Sequence, residues 1–277
     1  MHSKERTSLL CPNCRKLISA DEPACPYCGL SKPGAQGFLA NSLSTLAPEM
    51  TNIIIYVNAG FFLLSLLISA SGITLTANPF TIFSPSQEGL FLLGATGTVP
   101  ITAFGRWWTL ISASYLHGSL MHIFFNMMAV AQLGPFVIQE YGVNRFCVIY
   151  ALTGVAGFFI SFLAGIPFTI GASAAICGLI GAIVYYGKTR GGSYGEAIYK
   201  QALGWIAGLF FFGILVPGIN NWAHGGGLAS GILLAWWLGY LERQRETLFH
   251  RRLALACIGL TGLALLFALL QTAYVYL

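Results

Sequence analysis

The feature that most limits what this chain can become is where its charges are missing. No Asp, Glu, Lys or Arg occurs from Thr51 to Gln87, Trp107 to Gln139, Phe146 to Gly187, Gln201 to Leu241, or Leu253 to Leu277. A helix needs about 20 predominantly apolar residues to cross a bilayer. Charged residues make up only 8% of the 277 positions and apolar residues 56%, against about 25% charged in a soluble globular domain. An ordinary soluble enzyme is excluded. Disorder is excluded too, because it needs low hydrophobicity and high charge. What remains is an all-α polytopic membrane protein. The net charge of +5 does not by itself argue for nucleic acid; the placement of the charges says more.

The apolar runs predict seven helices, near Asn52–Ala70, Leu120–Gln139, Phe146–Gly165, Ser173–Gly187, Ala202–Val216, Ala223–Leu241 and Leu253–Tyr276. The fourth and fifth are short, so their ends are expected below the membrane surface. Lys and Arg in short loops set orientation. With the N-terminus in the cytoplasm, 13 of the 14 basic residues fall inside and only Arg106 outside. Seven spans then leave the C-terminus outside. No apolar segment precedes residue 50, so no cleavable signal peptide is expected.

Four regions follow: residues 1–37, a linker over 38–50, the six-helix membrane body over 51–241, and 242–277 with a charged hinge and the seventh helix. The first region is polar and carries Cys11-Pro-Asn-Cys14 and Cys25-Pro-Tyr-Cys28-Gly29. Four thiolates from two C-x-x-C turns suit one tetrahedral zinc ion, and Gly29 can take the backbone angles such a turn needs. The pattern resembles short zinc ribbons. A cytoplasmic setting keeps these thiols reduced. The bland reading is a vestigial or redox-active dithiol pair, and rubredoxin-like iron is a further alternative. Cys147, Cys177 and Cys257 stand singly in apolar stretches and read as packing residues.

Polar side chains inside spans are costly and usually functional. This chain has few. His117, His122 and Asn126 fall at the outer end of the second helix, with His122 and Asn126 four apart on one face. Ser173 begins the fourth helix and His224 lies near the start of the sixth. These three helices all run from outside to inside, so the polar groups share one depth. A serine needs a base to become a nucleophile, and imidazole is the usual one. Free N–H groups at a helix N-terminus favour an oxyanion. The only outer acid is Glu88, so a Ser–His dyad is expected rather than a triad. Small residues at four-residue spacing, Ser173/Cys177/Gly181 and Gly227/Gly231/Ala235, would let the two helices approach closely. Taken alone, such a Ser is usually a packing residue, and such a His often a hydrogen-bonded core residue. Their coincidence at one depth argues otherwise.

His117-Gly-Ser-Leu-Met-His122-Ile-Phe-Phe-Asn126 resembles the H-x-x-x-x-H-x-x-x-N signature of rhomboid intramembrane proteases. Gly171-Ala-Ser173 resembles their nucleophile motif, and Ala223-His224 with Gly227 and Gly231 their base motif. The resemblance covers residues 51–241 and implies a six-helix rhomboid-like core with one added C-terminal helix. It implies Ser173 as nucleophile, His224 as general base, and His122, Asn126 and the Ser173 N–H as the oxyanion site. It makes His117 structural, within the hydrogen-bonded first loop. It also implies single-pass membrane proteins as substrates, cut near the outer end of their helix. Three departures from the family pattern stand out. Ala174 follows the serine where Gly is frequent. Cys177 stands where an aromatic ring usually stacks on the base. Trp108 is followed by Thr109 rather than Arg, with Arg106 two residues earlier.

The expected activity is thus intramembrane serine proteolysis in a multi-pass membrane protein, expected in a bacterial inner membrane. No cofactor is needed for the chemistry, and one structural zinc sits in the ribbon. The alternative is a catalytically weak or inactive rhomboid-like scaffold that binds membrane helices. A zinc or solute transporter would need midplane ligands, and no carboxylate lies in any span. The ribbon mixes its basic residues with Glu5, Asp21 and Glu22, so it leaves room for a cytoplasmic protein partner while nucleic acid is not expected.

Overall fold

Apolar segments in lipid must satisfy their own backbone, so the charge-free runs become helices. The computed structural model describes residues 8–11, 16–33, 49–69, 81–216 and 218–276. Cys14 and most of the expected linker, 38–48, lie outside the described residues. Strands β1 (Ser8–Leu10) and β2 (Leu17–Ser19) pair antiparallel with Leu9 opposite Ile18. The membrane body begins with α1 (Met50–Ile68), followed by the short helices α2 (Gln87–Leu92) and α3 (Thr109–Ser112) in a long loop. It continues as α4 (Leu120–Tyr141), α5 (Val143–Leu163), α6 (Ser173–Arg190), α7 (Gly192–Leu215), α8 (Asn221–Leu238) and α9 (Leu248–Tyr276).

All seven expected helices are present among the described residues. Five are long and apolar enough to cross a membrane: α1, α4, α5, α7 and α9 over Leu248–Val275. The chain is a multi-pass membrane protein. Helices α6 and α8 have 18 residues each, about 27 Å at 1.5 Å per residue, slightly less than a hydrocarbon core of about 30 Å. The short fourth helix agrees with the sequence reading. The short fifth does not: α7 has 24 residues and starts at Gly192 rather than Ala202. Its added first turns carry Glu196 and Lys200, joined at 2.8 Å four residues apart. Such a pair supports a helix in water, where apolar patterning gives no signal. The last helix also starts early, at Leu248 rather than Leu253. Thr247 N–H donates to His250 Nδ1 at 3.0 Å, and His250 Nε2 donates to Leu238 O at 3.3 Å, which extends the helix back into the charged hinge.

The core forms where α5, α6 and α8 cross. A Cβ on Gly227 would meet Ala174 O at 2.1 Å, and one on Gly231 would meet Gly178 O at 2.1 Å. Backbone therefore lies on backbone. The α8 stripe is the expected one. On α6, however, the contact row is Ala174, Gly178 and Gly181 rather than Ser173, Cys177 and Gly181. That rotation leaves Ser173 at the edge of the contact, with its hydroxyl free of the helix crossing.

Helix α9 is held at both ends. At one, buried Arg145 donates from Nη1 to Tyr141 O at 3.0 Å and from Nη2 to Gln244 O at 2.7 Å. Glu246 accepts from Asn144 Nδ2 at 2.7 Å and from Arg145 N–H at 3.0 Å, at the start of α5. At the other end, Arg106 Nη2 donates to Gln271 at 3.1 Å and the Trp108 ring packs edge-on against Phe267 at 5.2 Å.

Candidate active site

The segment before α6 explains why Ser173 sits where it does. Thr169 pairs with Thr96 through two backbone hydrogen bonds, 2.7 and 3.1 Å, and Gly171 N–H donates to Ala113 O at 2.9 Å. Gly171 has φ +119°, a conformation few side chains tolerate. A Cβ there would stand 2.7 Å from His122 Nε2 and 3.8 Å from Ser173 Oγ. Glycine is needed twice over: for the turn, and to let His122 approach the serine. Ser173 is the first helical residue, and its helix start has no side-chain cap, so its first N–H groups remain available.

His224 Nε2 lies 2.8 Å from Ser173 Oγ. The pair comes from two helix starts brought together by the glycine crossing below them. No ion pair joins His224 to a carboxylate among the described residues. The arrangement is a hydroxyl hydrogen-bonded to an imidazole, which can pass a proton between the two groups.

Ser119 caps α4, its side chain accepting from His122 N–H at 3.2 Å. Gly118 N–H donates to His122 Nδ1 at 3.3 Å. Nδ1 is then an acceptor, so the proton of the neutral ring belongs on Nε2, the atom facing Gly171 and the serine. Asn126 donates one N–H to His122 O at 2.8 Å and keeps a second for another acceptor. His117 is fully buried and stacks edge-on against His122 at 4.9 Å between ring centres. The first loop is hydrogen-bonded, with Ser112 Oγ donating to Gly94 O at 2.9 Å, while among the described residues neither ring nitrogen of His117 meets a hydrogen-bond partner. Burial, and then the neighbouring His122, hold its imidazole well below the usual histidine range.

The departures from the family pattern have visible consequences. The Ala174 methyl fits because α5 has a glycine opposite it: a Cβ on Gly157 would stand 2.8 Å from Ala174 Cβ and 2.5 Å from Ala223 O. Cys177 is buried at 3% exposure, and among the described residues no aromatic ring stacks on His224. Arg106 does its anchoring from two positions earlier: its guanidinium lies over Phe91 and Trp108, at 4.3 and 4.9 Å, and bonds to Phe91 O and Leu92 O.

Sequence reasoning missed Gly157 and Asn220. Asn220 Oδ1 accepts from Ala223 N–H at 3.1 Å and so starts the helix that carries His224. A capping Asn before an apolar run is a readable signal. Gly157 has none, since its role depends on what faces it.

In the N-terminal module Cys11, Cys25 and Cys28 bring their sulfur atoms within 4.8 Å of one another. Cys11 Sγ and Cys28 Sγ are 3.7 Å apart. Two thiolates on tetrahedral zinc at 2.3 Å stand about 3.8 Å apart, so the described sulfurs fit such an ion. Gly29 has φ +70° and its N–H donates to Cys25 O at 2.9 Å, closing the second turn.

The rhomboid domain family model matches residues 104–241. The chain is 33% identical over 156 residues to "Rhomboid protease GluP" of Bacillus subtilis (strain 168), covering 56% of this chain and 31% of that protein. It is 34% identical over 167 residues to "RHOMBOID-like protein 6, mitochondrial" of Arabidopsis thaliana, covering 58% and 52%. It is also 32% identical over 162 residues to "Inactive RHOMBOID-like protein 8" of the same plant, covering 57% and 45%. The chain spans roughly a third to a half of the length of these relatives.

Proposed function

Because this chain belongs to the rhomboid family, we propose that it is an intramembrane serine endopeptidase acting through a Ser173–His224 dyad. The observation that carries this reading is the 2.8 Å hydrogen bond between His224 Nε2 and Ser173 Oγ at the mouth of two helix starts. Ser173 Oγ attacks the substrate carbonyl while His224 Nε2 takes its proton. The resulting imidazolium then gives that proton to the leaving amine. Negative charge on the carbonyl oxygen is met by the Ser173 N–H, the His122 Nε2–H and the remaining N–H of Asn126. Water then cleaves the acyl-enzyme with the same base.

The substrates in this reading are single-pass membrane proteins, entering from the bilayer and cut near the outer end of the helix. Ser173 lies at the opposite end of the body from Arg145, Arg190 and Arg243. The excess of basic residues on that far side supports a cytoplasmic N-terminus, an outer active site and an outer C-terminus, in a bacterial inner membrane. The N-terminal module holds one zinc ion through Cys11, Cys14, Cys25 and Cys28. Four thiolates fill a tetrahedral site, so the metal is structural. The module is left to bind a cytoplasmic protein partner.

A non-catalytic scaffold is the competing reading, favoured by the absence of a ring on His224 among the described residues and by the likeness to a relative named inactive. Purified protein in detergent should be labelled by a fluorophosphonate at Ser173, and Ser173→Ala should abolish both labelling and cleavage of a model transmembrane substrate. A folded wild type that neither labels nor cleaves would leave the scaffold.

A further inference from the structure

Glycine contacts between α6 and α8 limit how close the helices come, but they carry no directional bond. They set which faces of the helices meet, but not how far one helix start is raised along its axis against the other. Yet the dyad needs that register, because Ser173 and His224 meet only at the two helix starts. Something directional must set it.

Asn220 is placed to do so. Its Oδ1 accepts from Ala223 N–H at 3.1 Å, and its backbone carbonyl accepts from His224 N–H at 3.2 Å. Its Nδ2 donates to Ser161 Oγ at 2.5 Å and to Thr169 Oγ1 at 2.9 Å. The amide orientation is unambiguous, since only Oδ1 can face an N–H donor. Asn220 stands four residues before His224, and Thr169 four residues before Ser173. One side chain therefore joins the starts of both segments, and Ser161 adds the end of α5. Thr169 continues the chain into the first loop through its backbone pairing with Thr96. Thr96 accepts in turn from Thr109 Oγ1 at 3.0 Å. Ser161, Thr96 and Thr109 are fully buried and Thr169 nearly so, while Asn220 is half-buried, so the acceptors of the tie face the interior and only its Asn220 end is open.

We propose that Asn220 is a positioning residue that sets the register of Ser173 against His224 through Thr169. The proposal rests on the reading of that pair as nucleophile and base. A plain helix cap is the competing account, and substitution separates the two. Serine is a good cap in place of Asn but is too short to reach Thr169 and Ser161.

The experiment measures fluorophosphonate labelling rate, kcat, KM and thermal unfolding for wild type, Asn220→Ser, Thr169→Val and the double variant. Asn220→Ser should label and turn over roughly 10- to 100-fold more slowly, the size of effect that small misplacements of reacting groups produce. KM should stay within about twofold, because substrate binding is untouched. Thr169→Val should show the same kcat loss from the other end of the tie. The double variant should be no slower than the slower single one. A wild-type labelling rate in Asn220→Ser, or losses that multiply in the double variant, would overturn the tie. If Asn220→Ser does not fold, Thr169→Val alone decides: wild-type kcat there refutes the proposal. Failure of the wild type itself to label at Ser173 is a different result, and it overturns the dyad beneath the proposal.

Discussion

Consider Gly227→Ala. The added methyl would stand 2.1 Å from Ala174 O and 3.0 Å from Ala174 C, both backbone atoms of α6. No rotamer relieves the clash, because neither partner is a flexible side chain. Ordinary contact begins near 3.4 Å, so the two backbones must part by roughly 1.3 Å. Gly227 is three residues past His224, and Ala174 is next to Ser173, so the separation appears almost undiminished at the dyad. A 2.8 Å hydrogen bond stretched by that much is no longer one. Overpacking of this kind destabilises by about 1–3 kcal/mol, and displacement of about 1 Å at reacting groups costs about 10²-fold in rate. Gly225→Ala is the matched control: it lies on the same helix, two residues away, and a Cβ there meets nothing within 4 Å. Cleavage of a model transmembrane substrate and thermal unfolding, measured side by side, give the test. Gly227→Ala should lose both activity and stability, while Gly225→Ala keeps both. If the two variants cleave alike, the crossing of α6 and α8 does not hold the dyad, and the packing argument is wrong.

Other outcomes follow from the same geometry. His122→Ala and Asn126→Ala should each lower kcat by about 10²–10³-fold, the range for loss of one oxyanion donor, with labelling of Ser173 retained; unchanged kcat in both would remove them from the oxyanion site. Mass analysis of products should place the cut in the outer part of the substrate helix, and Gly or Pro near the site should speed it by loosening that helix; a cut at the cytoplasmic end contradicts the orientation. Metal analysis should find one zinc per chain, lost in Cys11→Ser/Cys14→Ser. Deleting residues 1–37 should spare cleavage of a simple substrate, since the proposed orientation puts a bilayer core of about 30 Å between ribbon and dyad; complete loss in a folded truncation would show that the two are coupled.

Much of this was open to sequence reasoning because lipid is an unforgiving solvent. Charge-free runs can only be helices there, so all seven are legible, and a polar residue inside them carries meaning. Ser173, His224, His122 and Asn126 stand out for that reason, and the C-x-x-C turns stand out because four thiols at such spacing suit one ion. The start of α7 at Gly192 escaped because its first turns lie among charges, where apolar periodicity is silent.

Helix order and the kinds of residue at each helix start are properties of the chain, and they are enough to set the Ser, the His residues and the Asn at one depth. Rotation is not such a property. Which small residues of α6 face α8 depends on three helices packing at once: Gly157 makes room for the Ala174 methyl, and Gly227 lies against Ala174 backbone. That fit turns Ser173 to the edge of the crossing and places its hydroxyl 2.8 Å from His224. Asn220 joins segments around residues 161, 169 and 220 that are adjacent only in space. Close backbone approach and bonds between distant segments exist only once the bundle has closed, so tertiary structure alone decides them.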